Sequence, residues 1–127
     1  MKIFGHPHIP SPAFTKISNI EEIDKVLANS IPWWPCESDE GFSLAKFCQE
    51  QQVAYAVKIH DLIQLLLYTN LDAKYLIAPK QKASEFQQIL KEYLLDTQLL
   101  CLINNEDEIP PLALQNIDGA IFKHHLT

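Results

Sequence analysis

Arginine is absent from this chain of 127 residues, so all ten residues counted as lysine or arginine are lysines. Sixteen acidic residues outnumber them, and the formal net charge is −6. Arginine supplies the planar fork that holds phosphates and base edges, and proteins that bind nucleic acids usually present a basic face. Docking on an anionic membrane surface also needs clustered basic residues. We therefore expect no nucleic acid and no membrane among the partners.

Glycine is also scarce, and the three glycines are Gly5, Gly41 and Gly119. Their spacing excludes both G-x-G-x-x-G and the Walker phosphate loop, which need closely spaced glycines. The G-x-S-x-G motif of α/β hydrolases is absent as well. No nucleotide cofactor is indicated by any motif, and any other cofactor stays unknown at this point.

The three cysteines, Cys36, Cys48 and Cys101, are odd in number and lack the Cys-x-x-Cys spacing of redox and zinc sites. Cys101 lies in an apolar run and is expected in the core. The first residues lack the apolar segment of a signal peptide, and no stretch approaches the ~20 apolar residues of a membrane span. We expect a cytoplasmic protein.

With 47% hydrophobic and 20% charged residues, the composition is that of a globular protein, and the length suits one domain, residues 1–127. Residues 1–13 contain Pro7, Pro10 and Pro12 and are predicted to form an extended strand or arm, because proline disfavours helix at its own and the preceding position.

Hydrophobic periodicity predicts alternating helices and strands along the chain. Helices are predicted at 20–27, 42–51, 62–70 and 81–96 and near 110–115, and strands at 14–17, 53–59, 73–78, 99–103 and 120–122. This alternation favours right-handed crossovers and a mostly parallel sheet. The prediction is an open α/β sheet of five or six strands with helices on both faces, and a half-barrel-like sheet is the alternative. Residues 31–35 contain two prolines and are predicted as a strand only at an edge or bulge.

Polar residues follow the predicted strands, and ligands of parallel sheets bind beyond the carboxyl ends of the strands. His60, Asp61, Lys80 and Glu106 are therefore candidate catalytic residues. Residues 37–40 join them if 31–34 is a parallel strand. The alternative is structural: Asp61 is also a plausible N-cap, and Glu106 suits the first turn of a helix.

The pair His6-x-His8 is a candidate metal site, because side chains two apart on an extended chain point to the same side. The alternative is that this proline-rich arm packs across a sheet edge. His124 and His125 are expected in an exposed tail.

The predicted helix at 62–70 carries an apolar arc of roughly 200°, which is wider than a surface helix needs. Trp33 and Trp34 are adjacent, so one ring of an extended strand faces outward. We expect Trp34, Ile63, Leu66 and Leu67 to form the interface of a homodimer. The competing hypothesis is a small-molecule or metal-assisted enzyme at the strand ends.

Several segments resemble those of a small group of uncharacterised bacterial α/β proteins, a group that implies no activity. These are Ile3-Phe4-Gly5-His6-Pro7, Lys74-Tyr75-Leu76-Ile77, Tyr93-Leu94-Leu95-Asp96 and Ile117-Asp118-Gly119-Ala120-Ile121-Phe122. The last of them also resembles the late strands of barrel enzymes such as glycerophosphodiesterases. The His-Arg pair of those enzymes is missing, so no catalytic residue is transferred.

Overall fold

The computed structural model describes all 127 residues, which form seven strands and five α-helices. The strands are β1 (Lys2–Phe4), β2 (Ala13–Lys16), β3 (Ser30–Pro35), β4 (Ala56–Lys58), β5 (Tyr75–Ala78), β6 (Gln98–Ile103) and β7 (Gly119–Phe122). The helices are α1 (Ile20–Ile23), α2 (Ser43–Gln51), α3 (Leu62–Asn70), α4 (Lys80–Glu92) and α5 (Ile109–Leu114). All strand pairs are parallel, in the order β1-β7-β6-β5-β4-β3-β2.

The helices cover one face of the sheet. Along β6, Leu99, Cys101 and Ile103 belong to the core that contains the buried residues of the helices. Leu100 points the other way, into a smaller core built from strand residues alone. Alternate residues of a strand point to opposite faces, so the helix-free face is closed by its own side chains.

The sheet curls until its two edges meet across this second core. β1 and β2 stand at opposite ends of the strand order, yet the rings of Phe4 and Phe14 are 5.5 Å apart. Both rings also contact Tyr75 of the central strand β5, at 5.3 and 5.9 Å. Leu126 forms a parallel bridge to Phe14 and covers the outer edge of β2. The concave side is therefore filled with aromatic rings and is not a channel.

The prediction of a parallel α/β sheet is confirmed, with seven strands in place of five or six. The arrangement is that of the half-barrel alternative, because the helices lie on one face. The additional strand is β1, only three residues long and within the segment predicted as a strand or arm. It pairs with β7, where Lys2 lies opposite Gly119. A Cβ atom at position 119 would stand 2.8 Å from the Lys2 carbonyl oxygen, so the close pairing of the two strands requires glycine there.

The prediction that 31–35 could be a strand only at an edge or bulge is wrong, because β3 lies between β2 and β4. Its pairing explains how the prolines are tolerated. Pro32 pairs with Thr15 of β2 and precedes the first β4 partner, while Pro35 pairs with Lys58 of β4 and follows the last β2 partner. Each proline thus has one neighbouring strand, which leaves its missing N–H without consequence.

The predicted N-caps of α1 and α3 are present in the structure. Asn19 accepts a hydrogen bond from the Glu22 N–H, and Asp61 accepts one from the Gln64 N–H at 2.9 Å. α1 ends at Ile23, four residues before the predicted end at Leu27. The longest helix, α4, has 13 residues, and none of the helices has the length and apolar character needed to span a bilayer.

Candidate functional sites

All five histidines lie just beyond the carboxyl end of a strand. His6 and His8 follow β1, His60 follows β4, and His124 and His125 follow β7. Because the strands are parallel, these ends share one edge of the sheet, which we call the carboxyl edge. In barrel enzymes built from parallel strands, this is the edge that carries the active site.

His6 has no free ring nitrogen. Its Nδ1 accepts the backbone N–H of His8 at 3.1 Å, so the proton of the neutral ring is on Nε2. Nε2 then donates to the Glu106 carboxylate at 2.9 Å. The rings of His6 and His8 stand 5.7 Å apart. The Glu106 contact joins the arm to the segment after β6, and metal binding by His6 and His8 stays a prediction.

Lys80 is also held in an ion pair. Its ammonium group donates to the Glu108 carboxylate at 2.9 Å. The other oxygen of Glu108 accepts the backbone N–H groups of Asn104 and Asn105 at 2.6 and 3.0 Å. The Asn105 N–H, the Lys80 ammonium group and the Asn104 N–H together hold the pKa of Glu108 at about 2. Through this ion pair, Lys80 stabilises the turn after β6 in which Glu108 accepts the two backbone N–H groups.

The four predicted catalytic residues belong to separate pairs. His60 contacts Glu37, Glu106 contacts His6, and Lys80 contacts Glu108. Asp61 caps α3. No hydrogen bond or ion pair joins any one of the four to another, so the structure does not assemble them into one catalytic group.

One group on the carboxyl edge brings together three different ligand atoms. The Cys36 Sγ, a carboxylate oxygen of Glu37 and a ring nitrogen of His60 all lie within 4.8 Å of one another. Cys36 and Glu37 follow β3, and His60 follows its neighbour β4, where Pro35 pairs with Lys58. The sequence placed Glu37 on this edge conditionally and missed Cys36. Its position in the sequence is the signal that could have found it, because Cys36 is the first residue after β3.

Electrostatics around Cys36 favour the protonated thiol. Burial, followed by the negative charges of Glu37 and Asp61, raises the pKa of Cys36 to about 11. The pKa of Glu37 is lowered, chiefly by its own backbone N–H and then by His60. A thiol protonated at neutral pH is a poor nucleophile, since the thiolate is the reactive form. The arrangement does not suit cysteine catalysis.

The outward side of α3 is apolar. Ile63, Leu66 and Leu67 are 69%, 40% and 43% exposed, and the helix contains no charged residue. A groove of about 310 Å³ separates α3 from α4, and none of its lining residues is charged. Tyr93, at the end of α4, borders this groove and is also largely exposed. We call this area the α3 surface.

Trp34 does not belong to the α3 surface. Its side chain is fully buried and stacks on Tyr55 with ring centroids 5.0 Å apart. Trp33 faces the aromatic interior and is buried too. The prediction of Trp34 as an interface residue is wrong, because both faces of this sheet are covered within one chain.

A cavity of about 610 Å³ lies at the opposite, amino end of the strands. It is lined by the turns that follow α2, α3 and α4, and it contains none of the predicted site residues.

The chain matches no protein-family model and no curated protein. The interpretation of function therefore depends on the carboxyl edge and the α3 surface.

Proposed function

We propose that the protein acts through self-association, as a homodimer joined by the α3 surface. The observation that carries the proposal is the exposure of Ile63, Leu66 and Leu67 on a helix without charge. Large exposed apolar patches mark interaction sites more often than isolated apolar residues do.

A second copy of the chain suits the shape and charge of this surface. A two-fold interface requires a patch that is complementary to itself. Here an apolar ridge formed by Ile63 and Leu67 stands beside an apolar groove between α3 and α4, so each copy can place its ridge in the groove of the other. Two chains of formal charge −6 repel each other, and the uncharged α3 surface is where they can approach at least cost.

Sedimentation velocity at micromolar concentration tests the proposal. We expect the unmodified protein to be a dimer and the Ile63→Asp variant to be a monomer, because a buried unpaired carboxylate opposes the contact. Leu114→Asp is the matched control, since Leu114 is 85% exposed on α5, away from the α3 surface. It should remain dimeric. A monomeric unmodified protein would contradict the proposal, as would equal dissociation by both variants.

A second candidate function is a small-molecule or metal-assisted enzyme at the carboxyl edge, favoured by the five histidines found there. Of the predicted catalytic residues, His60 and Asp61 lie beside Cys36, whereas Lys80 and Glu106 contact Glu108 and His6. For the cellular location we propose the cytoplasm, a reducing compartment that suits three unpaired cysteines.

A further inference from the structure

We propose that Cys36, Glu37 and His60 form a binding site for a divalent transition metal of the zinc class. This inference is independent of self-association, because the three residues lie on the carboxyl edge and the α3 surface is formed by the outward sides of α3 and α4. The dimer and the metal site can therefore be tested separately.

The three ligand atoms lie close to the spacing that a metal needs. The ligand atoms lie within 4.8 Å of one another, at the ends of two hydrogen-bonded neighbouring strands. Zinc bonds of about 2.0–2.3 Å at tetrahedral angles place ligand atoms about 3.3–3.6 Å apart. Side-chain movements on the order of 1 Å reach this spacing from the distances observed, and no strand has to move.

The donor set selects the class of metal. A thiolate sulfur combined with an imidazole nitrogen and a carboxylate oxygen suits zinc and cobalt. Magnesium and calcium take oxygen ligands almost entirely, so a site with one sulfur and one nitrogen disfavours them. Asp61 is outside the group of ligand atoms within 4.8 Å of one another, so three protein ligands would leave the fourth tetrahedral position for water or an added ligand.

The charges around the site attract a cation. Glu37 and Asp61 both place negative charge near Cys36. A divalent cation would offset both carboxylates and stabilise the thiolate that binds it. His60 and Lys58 are the positive groups that act on Glu37.

Cobalt titration of the untagged protein, stripped of metal with a chelator, tests the site. Cobalt bound to a thiolate gives a sulfur-to-metal charge-transfer band in the near ultraviolet. We expect this band to saturate at one cobalt ion per chain and to disappear when zinc is added. Cys36→Ser should abolish the band. Glu37→Gln and His60→Gln should each weaken cobalt binding at least about tenfold, because even the loss of a residue that only hydrogen-bonds to a metal ligand has an effect of this size.

Cys48→Ala and His8→Gln are the matched controls, because each removes a ligand type from elsewhere in the chain. Both should keep the band and the cobalt affinity, with circular dichroism confirming that every variant is folded. The proposal is overturned if the protein takes up no cobalt, or if Cys36→Ser keeps the charge-transfer band. Cobalt uptake without that band would also overturn it, since the metal would then be bound by histidines elsewhere.

Discussion

Glu108 shows how one side chain can connect two strand ends. It accepts two backbone N–H groups after β6 and the ammonium group of Lys80 after β5. These contacts stabilise the ionised carboxylate, so its pKa in the folded protein, about 2, lies below its ordinary value of 4.5. A lowered pKa in the folded state means that the ionised group contributes stability at neutral pH.

The stabilisation by Glu108 is expected to depend on pH. It is fully present above about pH 4.5 and is lost as the pH falls to about 2, where the folded protein also protonates the group. Glu108→Gln should therefore lower the free energy of unfolding at pH 7, and its difference from the unmodified protein should shrink between pH 4.5 and 2. Urea unfolding across this pH range measures the difference in the free energy of unfolding. Glu50→Gln, which changes an exposed carboxylate, is the control. A difference that stays constant with pH would contradict the assignment.

Single residues at the site could be predicted only where local spacing determines their role. Asn19 and Asp61 were predicted as N-caps, and both are, because a cap depends on residues three positions away. The contact between the His6 ring and Glu106 was not predicted, because the two residues lie far apart along the chain. The Cys36–His60 proximity was missed for the same reason, since it depends on strand order.

At the scale of the elements, the cap of α3 provides a test. Asp61→Ala removes the acceptor of the Gln64 N–H and should lower the free energy of unfolding by about 0.5–2 kcal/mol. Asp61→Asn keeps an acceptor of similar capping strength and should cost much less. Urea unfolding of both variants decides the point. Equal losses would indicate that the charge of Asp61, and not its cap, stabilises the protein.

Elements with long periodic patterns were predicted closely, and short or proline-containing ones were not. α3 has the predicted bounds of 62–70, because five apolar residues in nine give a clear helical pattern. β1 has three residues, too few to show alternation, and its place depends on pairing with β7. β3 contains prolines that are acceptable only because its two neighbours overlap different halves of the strand.

At the scale of the whole molecule, the two cores should unfold together. Phe14 is 1% exposed and joins the aromatic interior, and replacing it with alanine should lower the free energy of unfolding by about 3–5 kcal/mol. Trp33 reports on this interior, and Trp34 on the core beneath the helices. Fluorescence of the Trp33→Phe and Trp34→Phe variants, each measured with and without Phe14→Ala, should therefore show the same loss of unfolding free energy on adding Phe14→Ala.

Unequal losses on adding Phe14→Ala to the two variants would contradict a single cooperative unit. The expectation has a physical basis in the sheet, since both cores are built on opposite sides of the same strands. Leu99 and Leu100 are adjacent in β6 and pack into different cores. Loss of one core would expose the apolar side chains of its strands to water.

The parallel architecture was predictable, and the placement of the helices was not. Regular alternation of helix and strand implies right-handed crossovers, which fixes the strand direction. It does not determine which face each helix covers, because a buried strand has the same apolar composition under either arrangement. The face opposite the helices is filled here by Phe4, Phe14 and Tyr75, whose mutual contacts connect distant parts of the chain.

The pairing of β1 with β7 has a consequence for how the chain reaches its native state. Lys2 finds its partner, Gly119, only after the intervening residues have left the ribosome. During synthesis, β1 has no partner strand until β7 has been made, so the middle strands can pair before β1 does. Contacts of such high sequence separation slow folding, because the loop must close before the contact contributes. The early residues of this protein should consequently be among the last to gain protection from hydrogen exchange.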